Sequence, residues 1–457
     1  MKHSSFLKSV AVLSLGGLAA KAIGAIYRIP LANVLGGYGT GLYQMAYPLF
    51  VLLLTFSSAG IPSAFSRVIA RETVRGRDGA DTVRAAIKIF SIVGFVGMVV
   101  MMLLSDGMSR MQGEEGLRWC YLALAPSVFF VAVIAVLRGY FQGKNNMSPT
   151  AISEILEQAI KAGVGILFAL RFRDEPHLAA ALTLLAVSVS ELVALSYLYM
   201  RYRREGRRRT LTARSASGTV IFLSAIPVMA SVAILPLSQF YDSIVVVRLL
   251  SRYTARSVAL YGLFTGGAVA LVNLPATLSY GLSAAVVPAV SRAFARGDYE
   301  EGRRRAIYAL GLTLLLAVPC ALGLFFLAKP IVSLLYGGLS AEDGAMLVKL
   351  IRLLSVSAAT LAGVQTLSAC LTGMGKAKYG ALSMLFAVIL KMLLEWLLVA
   401  RPSLSIAGAA ISANACYLVA FLMNLFYTVK KTKSEKMQYD YGRGDGRECG
   451  GSYKARA

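Results

Sequence analysis

Two positively charged residues, Lys21 and Arg28, lie within an apolar stretch that covers about residues 6–29. Their spacing places them on one face of a helix, and Gly17 and Gly24 extend that face. The stretch contains no acidic residue. An ionisable side chain at bilayer depth costs roughly 2.5–3.5 kcal/mol on insertion scales, so it usually faces a cavity or a partner. We interpret the pair as a site for an anionic ligand. The alternative is that Arg28 extends to the outer interface while Lys21 pairs with an acid of another helix.

Other apolar segments also carry charged residues. Glu157 and Lys161 have the four-residue spacing of a helical salt bridge, and Lys391 and Glu395 repeat that spacing in reverse order. Such pairs hold helices together or line a transport pathway, and both interpretations stay open. The candidate substrate-binding set therefore adds seven residues to Lys21 and Arg28: Glu157, Lys161, Glu191, Asp242, Arg248, Lys391 and Glu395. Asp242 and Arg248 are expected near the outer face.

The composition argues against an enzyme and against a metal or disulfide site. Of the 457 residues, 57% are apolar and only 15% are charged, whereas soluble domains carry about 25% charged residues. The five cysteines form no CxxC pair, and the two histidines lie in polar flanks. No nucleophile motif or paired-carboxylate site occurs in a polar loop. We therefore expect no catalysis and no cofactor, while a coupling ion, Na⁺ or H⁺, stays open.

Twelve apolar segments are long enough to span a bilayer, which needs roughly 20 mainly apolar residues. They cover about residues 6–29, 41–65, 84–105, 118–138, 150–170, 178–200, 217–240, 257–288, 306–328, 345–372, 378–400 and 405–428. The connections between them are short, so no soluble domain is inserted. The sequence predicts an all-α, polytopic membrane protein with about 12 transmembrane helices.

The basic residues predict the orientation. With the N-terminus inside, alternate segment ends and the tail carry 32 Lys and Arg, against ten at the opposite ends. Cytoplasmic loops are enriched in Lys and Arg, so both termini are expected in the cytoplasm. Anionic headgroups of membrane lipids account for the net charge of +24. No nucleic-acid partner is needed, and we expect location in the cytoplasmic membrane of a bacterium.

The two halves of the chain repeat short motifs. Gln142-Gly143-Lys144 recurs as Met374-Gly375-Lys376, and the segment 61–67 resembles 287–292. Transporters often consist of two such halves around a site at the bilayer midplane. The repeat predicts two pseudo-symmetric six-helix lobes around a central cavity. The predicted boundaries are an N-terminal lobe over 1–214, a C-terminal lobe over 215–429 and a polar, disordered tail over 430–457.

The longer motifs resemble the stage V sporulation protein B family. They are Lys21-Ala-Ile-Gly-Ala-Ile-Tyr-Arg-Ile-Pro-Leu-Ala-Asn-Val-Leu-Gly36, Gly139-Tyr-Phe-Gln-Gly143 and Leu260-Tyr-Gly-Leu-Phe-Thr-Gly-Gly267. The resemblance spans about residues 6–428. The family is related to MurJ-type lipid II flippases, to polysaccharide exporters and to multidrug and toxin extruders.

This resemblance implies a two-lobed bundle that moves a polyprenyl-diphosphate-linked saccharide to the outer leaflet by alternating access. Lys21 and Arg28 match positions that line the central cavity in such flippases. MurJ-type members carry a further arginine in their second helix, whereas residues 41–66 contain no charge, which favours the sporulation branch. Members usually have fourteen helices, the last two forming a groove for the lipid tail, and twelve are predicted here.

Two alternatives remain open at this point. The first is a cation- or proton-coupled multidrug antiporter, which needs an acid in the cavity, and Glu157 and Glu191 are candidates for it. The second is a non-transporting membrane scaffold for wall or spore cortex synthesis. For the flippase, the expected partners are the lipid-linked oligosaccharide diphosphate and membrane lipids, and a monomer is expected.

Overall fold

The computed structural model describes residues 2–58, 60–74, 79–206, 229 and 232–444, and the regular elements in these ranges are helices. Backbone groups in hydrocarbon must be hydrogen-bonded internally, and a helix achieves this within one segment. The helices, which we number in chain order, are α1 (Lys2–Ser58), α2 (Ile61–Val74), α3 (Ala80–Gln112), α4 (Leu117–Gly143), α5 (Ser148–Arg171), α6 (Pro176–Gly206), α7 (Ile234–Ser251), α8 (Ser257–Gly262), a π-turn (Leu263–Ala268), α9 (Val269–Ala295), α10 (Tyr299–Phe326), α11 (Ala328–Leu335), α12 (Ala341–Gly373), α13 (Ala377–Val399) and α14 (Ile406–Gly444).

Ten helical stretches in the described ranges are long and apolar enough to cross a membrane. One of them, Leu15–Val74, contains most of the first predicted span and all of the second. The predicted span at 150–170 is helical as α5 but is not among the ten, because Glu154, Glu157 and Lys161 lower its apolar character. The protein is therefore an all-α, multi-pass membrane protein, as the sequence predicts.

The first two predicted spans are joined more tightly than expected. Helix α1 runs from Lys2 to Ser58, with non-helical backbone angles only at Gly36, where φ is 65° and ψ is −176°. A positive φ of this size is strained for residues with a Cβ atom, so glycine suits the position. The expected connection over about 30–40 is therefore a turn at one residue between two helical stretches.

The seventh predicted span needs a correction. Most of 217–240 lies outside the described residues, and α7 begins at Ile234 and ends at Ser251. The predicted span ended at 240 because Asp242 and Arg248 interrupt the apolar pattern, whereas the helix continues to Ser251. Helix α14 likewise continues past 428 to Gly444, into the predicted tail. The lobe boundary at 214/215 falls outside the described residues, so the lobe boundaries stay a prediction.

The chain forms two compact units that differ from a simple division into halves. The first comprises Met1–Leu274, Leu322–Ser355 and Val388–Asn414, and the second comprises Pro275–Ala321, Val356–Ala387 and Ala415–Ala457. The first unit thus combines the N-terminal half with parts of the C-terminal half.

A glycine in or next to each repeated motif lies close to a neighbouring helix of its own unit. In the first unit, a Cβ atom on Gly143 of α4 would lie 2.7 Å from the backbone oxygen of Ser66 in α2. In the second unit, a Cβ atom on Gly373 of α12 would lie 2.8 Å from the backbone oxygen of Val287 in α9. Small residues let helix backbones approach closely. Gly375, the position that matches Gly143 in the repeated motif, has no such neighbour within 4 Å, so the internal repeat stays a prediction.

Contacts near helix ends agree with the predicted alternation, in which consecutive spans cross the membrane in opposite directions. At the predicted outer ends, Tyr38 Oη is hydrogen-bonded to His177 Nε2 at 3.3 Å, and His177 Nδ1 lies 4.0 Å from Glu114 Oε1. At the predicted inner ends, Asn146 Nδ2 donates to Glu205 Oε1 at 3.4 Å. The ends of helices that the sequence assigns to one side are therefore neighbours in space.

Candidate functional site

The glycine-bearing face of α1 packs against α5. A Cβ atom on Gly24 would lie 2.8 Å from the side-chain oxygen of Gln158, and one on Gly17 would lie 3.5 Å from Glu154 Oε2. The two glycines therefore bring α5 close to α1. The side chains of Lys21 and Arg28 both stay exposed beside this contact.

Lys21 has an acidic neighbour that comes from another helix. Its charge interacts with that of Glu154 in α5, whose side chain is partly buried. The sequence raised such a partner as the alternative to ligand binding, and the structure shows that Lys21 has this neighbour and is also exposed. A negatively charged ligand at Lys21 would compete with Glu154 for the ammonium group.

Arg28 lies in different surroundings. Among the residues that the structure describes, none of the ion pairs includes Arg28. Its charge acts on Tyr336, which lies outside the spanning helices. Burial raises the pKa of the Tyr336 hydroxyl, and the positive charge of Arg28 partly offsets this increase. Asn33, on the same helix, donates through Nδ2 to the backbone oxygen of Leu335 at 2.5 Å. Arg28 is thus an exposed cation near the C-terminal end of α11, within the first unit.

A first ionic cluster joins α4, α5 and α6. Arg138 Nη2 donates to Glu157 Oε2 at 3.0 Å, and Arg138 Nε donates to Ser153 Oγ at 3.0 Å. The predicted pairing of Glu157 with Lys161 is therefore replaced by a pairing with Arg138. Arg138 was not among the candidate residues, although Ser153 and Glu157, one helical turn apart on α5, indicate a partner on a neighbouring helix.

Glu191 of α6 belongs to the same region. It is buried, and the charges of Glu157, Arg138 and Lys161 are the ones that act on it most. Its Oε2 atom has no hydrogen-bond partner among the described residues. A buried carboxylate oxygen without a donor is costly, so a partner for this atom is expected beyond the contacts of the described residues.

A second ionic cluster joins α7 and α13. The ammonium of Lys391 pairs with Asp242, and its Nζ lies 3.1 Å from Glu395 Oε1 and 3.4 Å from Ser238 Oγ. The Lys391–Glu395 pair agrees with the predicted spacing. Asp242 is buried beside Lys391, and its position near the outer face stays a prediction.

Arg248 joins neither cluster. It lies in α7, where it is exposed. The nine candidate residues thus separate into exposed cations of α1, an α4–α6 cluster, an α7–α13 cluster and Arg248 by itself. The described residues contain no group of three or more His, Cys, Asp or Glu placed to hold a metal ion.

Ten apolar helices, several of which carry charged residues, define a multi-pass membrane protein in the described ranges. A family model described as polysaccharide biosynthesis protein matches residues 6–294, and a MatE model matches residues 227–397. Stage V sporulation protein B of Bacillus subtilis (strain 168) is 30% identical over 427 residues, which cover 90% of this chain and 81% of that protein. The chain therefore belongs to the stage V sporulation protein B family of polysaccharide biosynthesis proteins.

Further similarities connect it to flippases and drug transporters. Lipid II flippase MurJ of Bacillus subtilis (strain 168) is 23% identical over 462 residues, covering 94% of this chain and 83% of that protein. An inward-facing multidrug resistance MATE family transporter has a TM-score of 0.76 at 17% identity, over 94% of this chain and 99% of that chain. Lipid II flippase MurJ in an inward closed conformation has a TM-score of 0.72 at 15% identity, over 96% and 94%. The chain thus shares its fold with MATE transporters and MurJ and is related to the flippase superfamily.

Proposed function

We propose that this protein flips a polyprenyl-diphosphate-linked saccharide, a precursor of peptidoglycan or another polysaccharide, across the cytoplasmic membrane of a bacterium. The observation that carries the proposal is the exposed pair Lys21 and Arg28 on one face of α1, with Arg28 outside the ion pairs of the described residues. The relative described as a lipid II flippase and the polysaccharide biosynthesis family model support the same cargo class.

The chemistry of the two cations suits a diphosphate. An arginine guanidinium binds phosphate oxygens with two parallel hydrogen bonds, and a lysine adds a compact positive charge. Seven residues of helix span about 10 Å, so a diphosphate and its first sugar extend along this face. Because Glu154 acts on Lys21, we assign the primary phosphate contact to Arg28.

The buried clusters have a different role in this proposal. Lys391 pairs with the buried carboxylates of Asp242 and Glu395, and Arg138 pairs with the partly buried Glu157. We assign them to bracing the helices that move during alternating access, and we keep both termini in the cytoplasm on the charge asymmetry of the loops. The driving force of this cycle is the membrane potential or a gradient of Na⁺ or H⁺.

Flipping of a fluorescent lipid-linked saccharide in liposomes tests the proposal. The purified Arg28→Ala and Lys21→Ala proteins are compared with Arg401→Ala, which removes an exposed arginine beyond the end of α13 that has no place in the candidate site. We expect Arg28→Ala to slow flipping by about tenfold or more, which corresponds to about 1.4 kcal/mol, and Arg401→Ala to leave it unchanged. Wild-type rates from both α1 variants would overturn the assignment.

A second function, cation-coupled drug export, rests on the unsatisfied carboxylate oxygen of Glu191. A buried acid of this kind is able to exchange a proton for a cationic drug. Drug resistance in a sensitised host separates the two functions. Resistance that depends on the wild-type residue and is lost in Glu191→Gln supports export of drugs, whereas no resistance from either protein excludes it.

A further inference from the structure

A polar cavity lies in the first unit, at the predicted outer ends of α3, α4 and α6. Its lining residues are distant in sequence from Lys21 and Arg28. Its volume is about 810 Å³, within the usual range of ligand sites, about 300–1,000 Å³. Seven of its lining residues carry the argument: Asp106, Arg110, Glu114, Glu115, Arg118, Trp119 and His177.

Several of these side chains are held in place by one another. Arg118 Nε lies 3.2 Å from Asp106 Oδ1, and His177 contacts both Glu114 and Tyr38. Tyr38 also packs edge-on against the His177 ring, with the ring centroids 5.4 Å apart. A set of polar groups that is oriented before the ligand arrives loses less entropy on binding.

The charges of the cavity indicate what it binds. Two arginines, Arg110 and Arg118, face three carboxylates, those of Asp106, Glu114 and Glu115. A phosphate would be repelled by this acidic excess, whereas hydroxyl and amide groups find both donors and acceptors. The side chain of Trp119 is 63% exposed and adds a flat apolar surface for the face of a sugar ring.

An apolar groove continues from this cavity along α4 and α6. It has a volume of about 710 Å³ and shares Trp119 and His177 with the polar cavity. Its other lining residues are mainly apolar and include Leu122, Leu178 and Leu182. A ligand that fills both spaces has a polar, hydroxyl-rich part and a long apolar chain.

We propose that the polar cavity binds the saccharide part of the lipid-linked cargo at the outer leaflet, while the apolar groove holds part of its polyprenyl chain. The inference rests on the proposed function and on the predicted orientation. It assigns a second cargo site, selective for sugar, to the face where the product leaves. The α1 site would bind the diphosphate, and this site would bind the sugar.

Tryptophan fluorescence tests the site directly, because the chain contains only Trp119 and Trp396. In the Trp396→Phe protein, the remaining signal comes from Trp119 at the cavity. In the matched Trp119→Phe protein, it comes from Trp396, which is similarly exposed at 59% but does not line the cavity. Each protein in detergent is titrated with muramyl dipeptide, with inorganic pyrophosphate and with short-chain phosphatidylglycerol.

We expect muramyl dipeptide to change the fluorescence of Trp119 saturably and to leave Trp396 unchanged. Adding Arg118→Ala and Glu114→Gln to the Trp396→Phe protein should weaken this binding by about tenfold. No saturable response of Trp119 to muramyl dipeptide, or a response to phosphatidylglycerol or pyrophosphate alone, would overturn the saccharide site.

Flipping by the Trp396→Phe protein is measured in parallel and separates the two proposals. Flipping without a response of Trp119 to muramyl dipeptide rejects the outer site and leaves the proposed function intact. A saturable response without flipping supports the outer site and counts against the proposed function.

Discussion

The cations of α1 and the lysine of α13 carry the same charge inside apolar helices, but their surroundings are opposite. Lys21 and Arg28 are exposed, and Arg28 takes part in none of the ion pairs of the described residues. Lys391 is 8% exposed and is held between Asp242 and Glu395. A buried cation that pairs with two carboxylates stabilises the packing of its own helices, whereas an exposed cation is accessible to a ligand. Burial and partners, more than residue type, therefore separate a binding cation from a bracing one.

The strongest test of this difference is Lys391→Met, a change that keeps the length of the side chain and removes its charge. Two carboxylates would stay buried without their cation, and removing one partner of a buried pair costs about 3–5 kcal/mol. We expect a loss of this size in the free energy of unfolding, measured by denaturant titration in detergent.

The matched control for this prediction is Lys21→Met, which removes the same charge from an exposed position. It should change stability by less than about 1 kcal/mol. Combining Lys391→Met with Asp242→Asn and Glu395→Gln should recover much of the loss, because the neutral side chains no longer need a counter-charge. Equal losses from the two lysine variants would remove the distinction between the two kinds of cation.

A smaller loss is expected at the α4–α6 cluster, where the pair is only partly buried. The side chains of Arg138 and Glu157 are 17% and 16% exposed, and their atoms are 3.0 Å apart. Glu157→Gln should cost about 2 kcal/mol, as for a hydrogen bond to a charged group. Asp81→Asn, which breaks the exposed pair with Arg84, serves as the control and should cost at most about 0.5 kcal/mol. If the two changes cost the same in thermal unfolding, burial does not strengthen the pair.

The turn at Gly36 bears on the same comparison, because it ends the helical stretch that carries the exposed cation Arg28. A Cβ atom there would meet no atom within 4 Å, but φ is 65°. Gly36→Ala should therefore cost about 1–2 kcal/mol through backbone strain alone. Gly163→Ala, in open space inside α5, should instead be neutral or stabilising by up to about 1 kcal/mol. Calorimetry of both variants measures the difference, and a neutral Gly36→Ala would contradict the strained turn.

Much of the fold could be predicted from the sequence, because apolar length is a local property. The segments at 84–105 and 118–138 lie within spanning helices, and all but the last two residues of 306–328 do. Segments interrupted by charge were harder, since Asp242 becomes compatible with burial only through Lys391, distant in sequence. Periodicity within one helix shows which residues share a face, but it does not show which neighbouring helix that face meets.

The candidate site shows the same limit. The Lys391–Glu395 pair could be predicted because both residues lie on one helix. Arg138 was missed as the partner of Glu157 because the contact joins two helices. The neighbour of Lys21 depends on how α1 packs against α5, so the sequence could state it only as an alternative.

The smallest effect on stability is expected where the effect on transport is largest. Arg28 is exposed and contributes no ion pair among the described residues, so Arg28→Ala should change the free energy of unfolding by no more than about 0.5 kcal/mol. Denaturant titration of the same preparation that is used for flipping measures both quantities. A stable Arg28→Ala protein that no longer flips cargo would place this cation in binding. If its stability fell as far as that of Lys391→Met, Arg28 would instead brace the bundle, and its exposure would not indicate a ligand site.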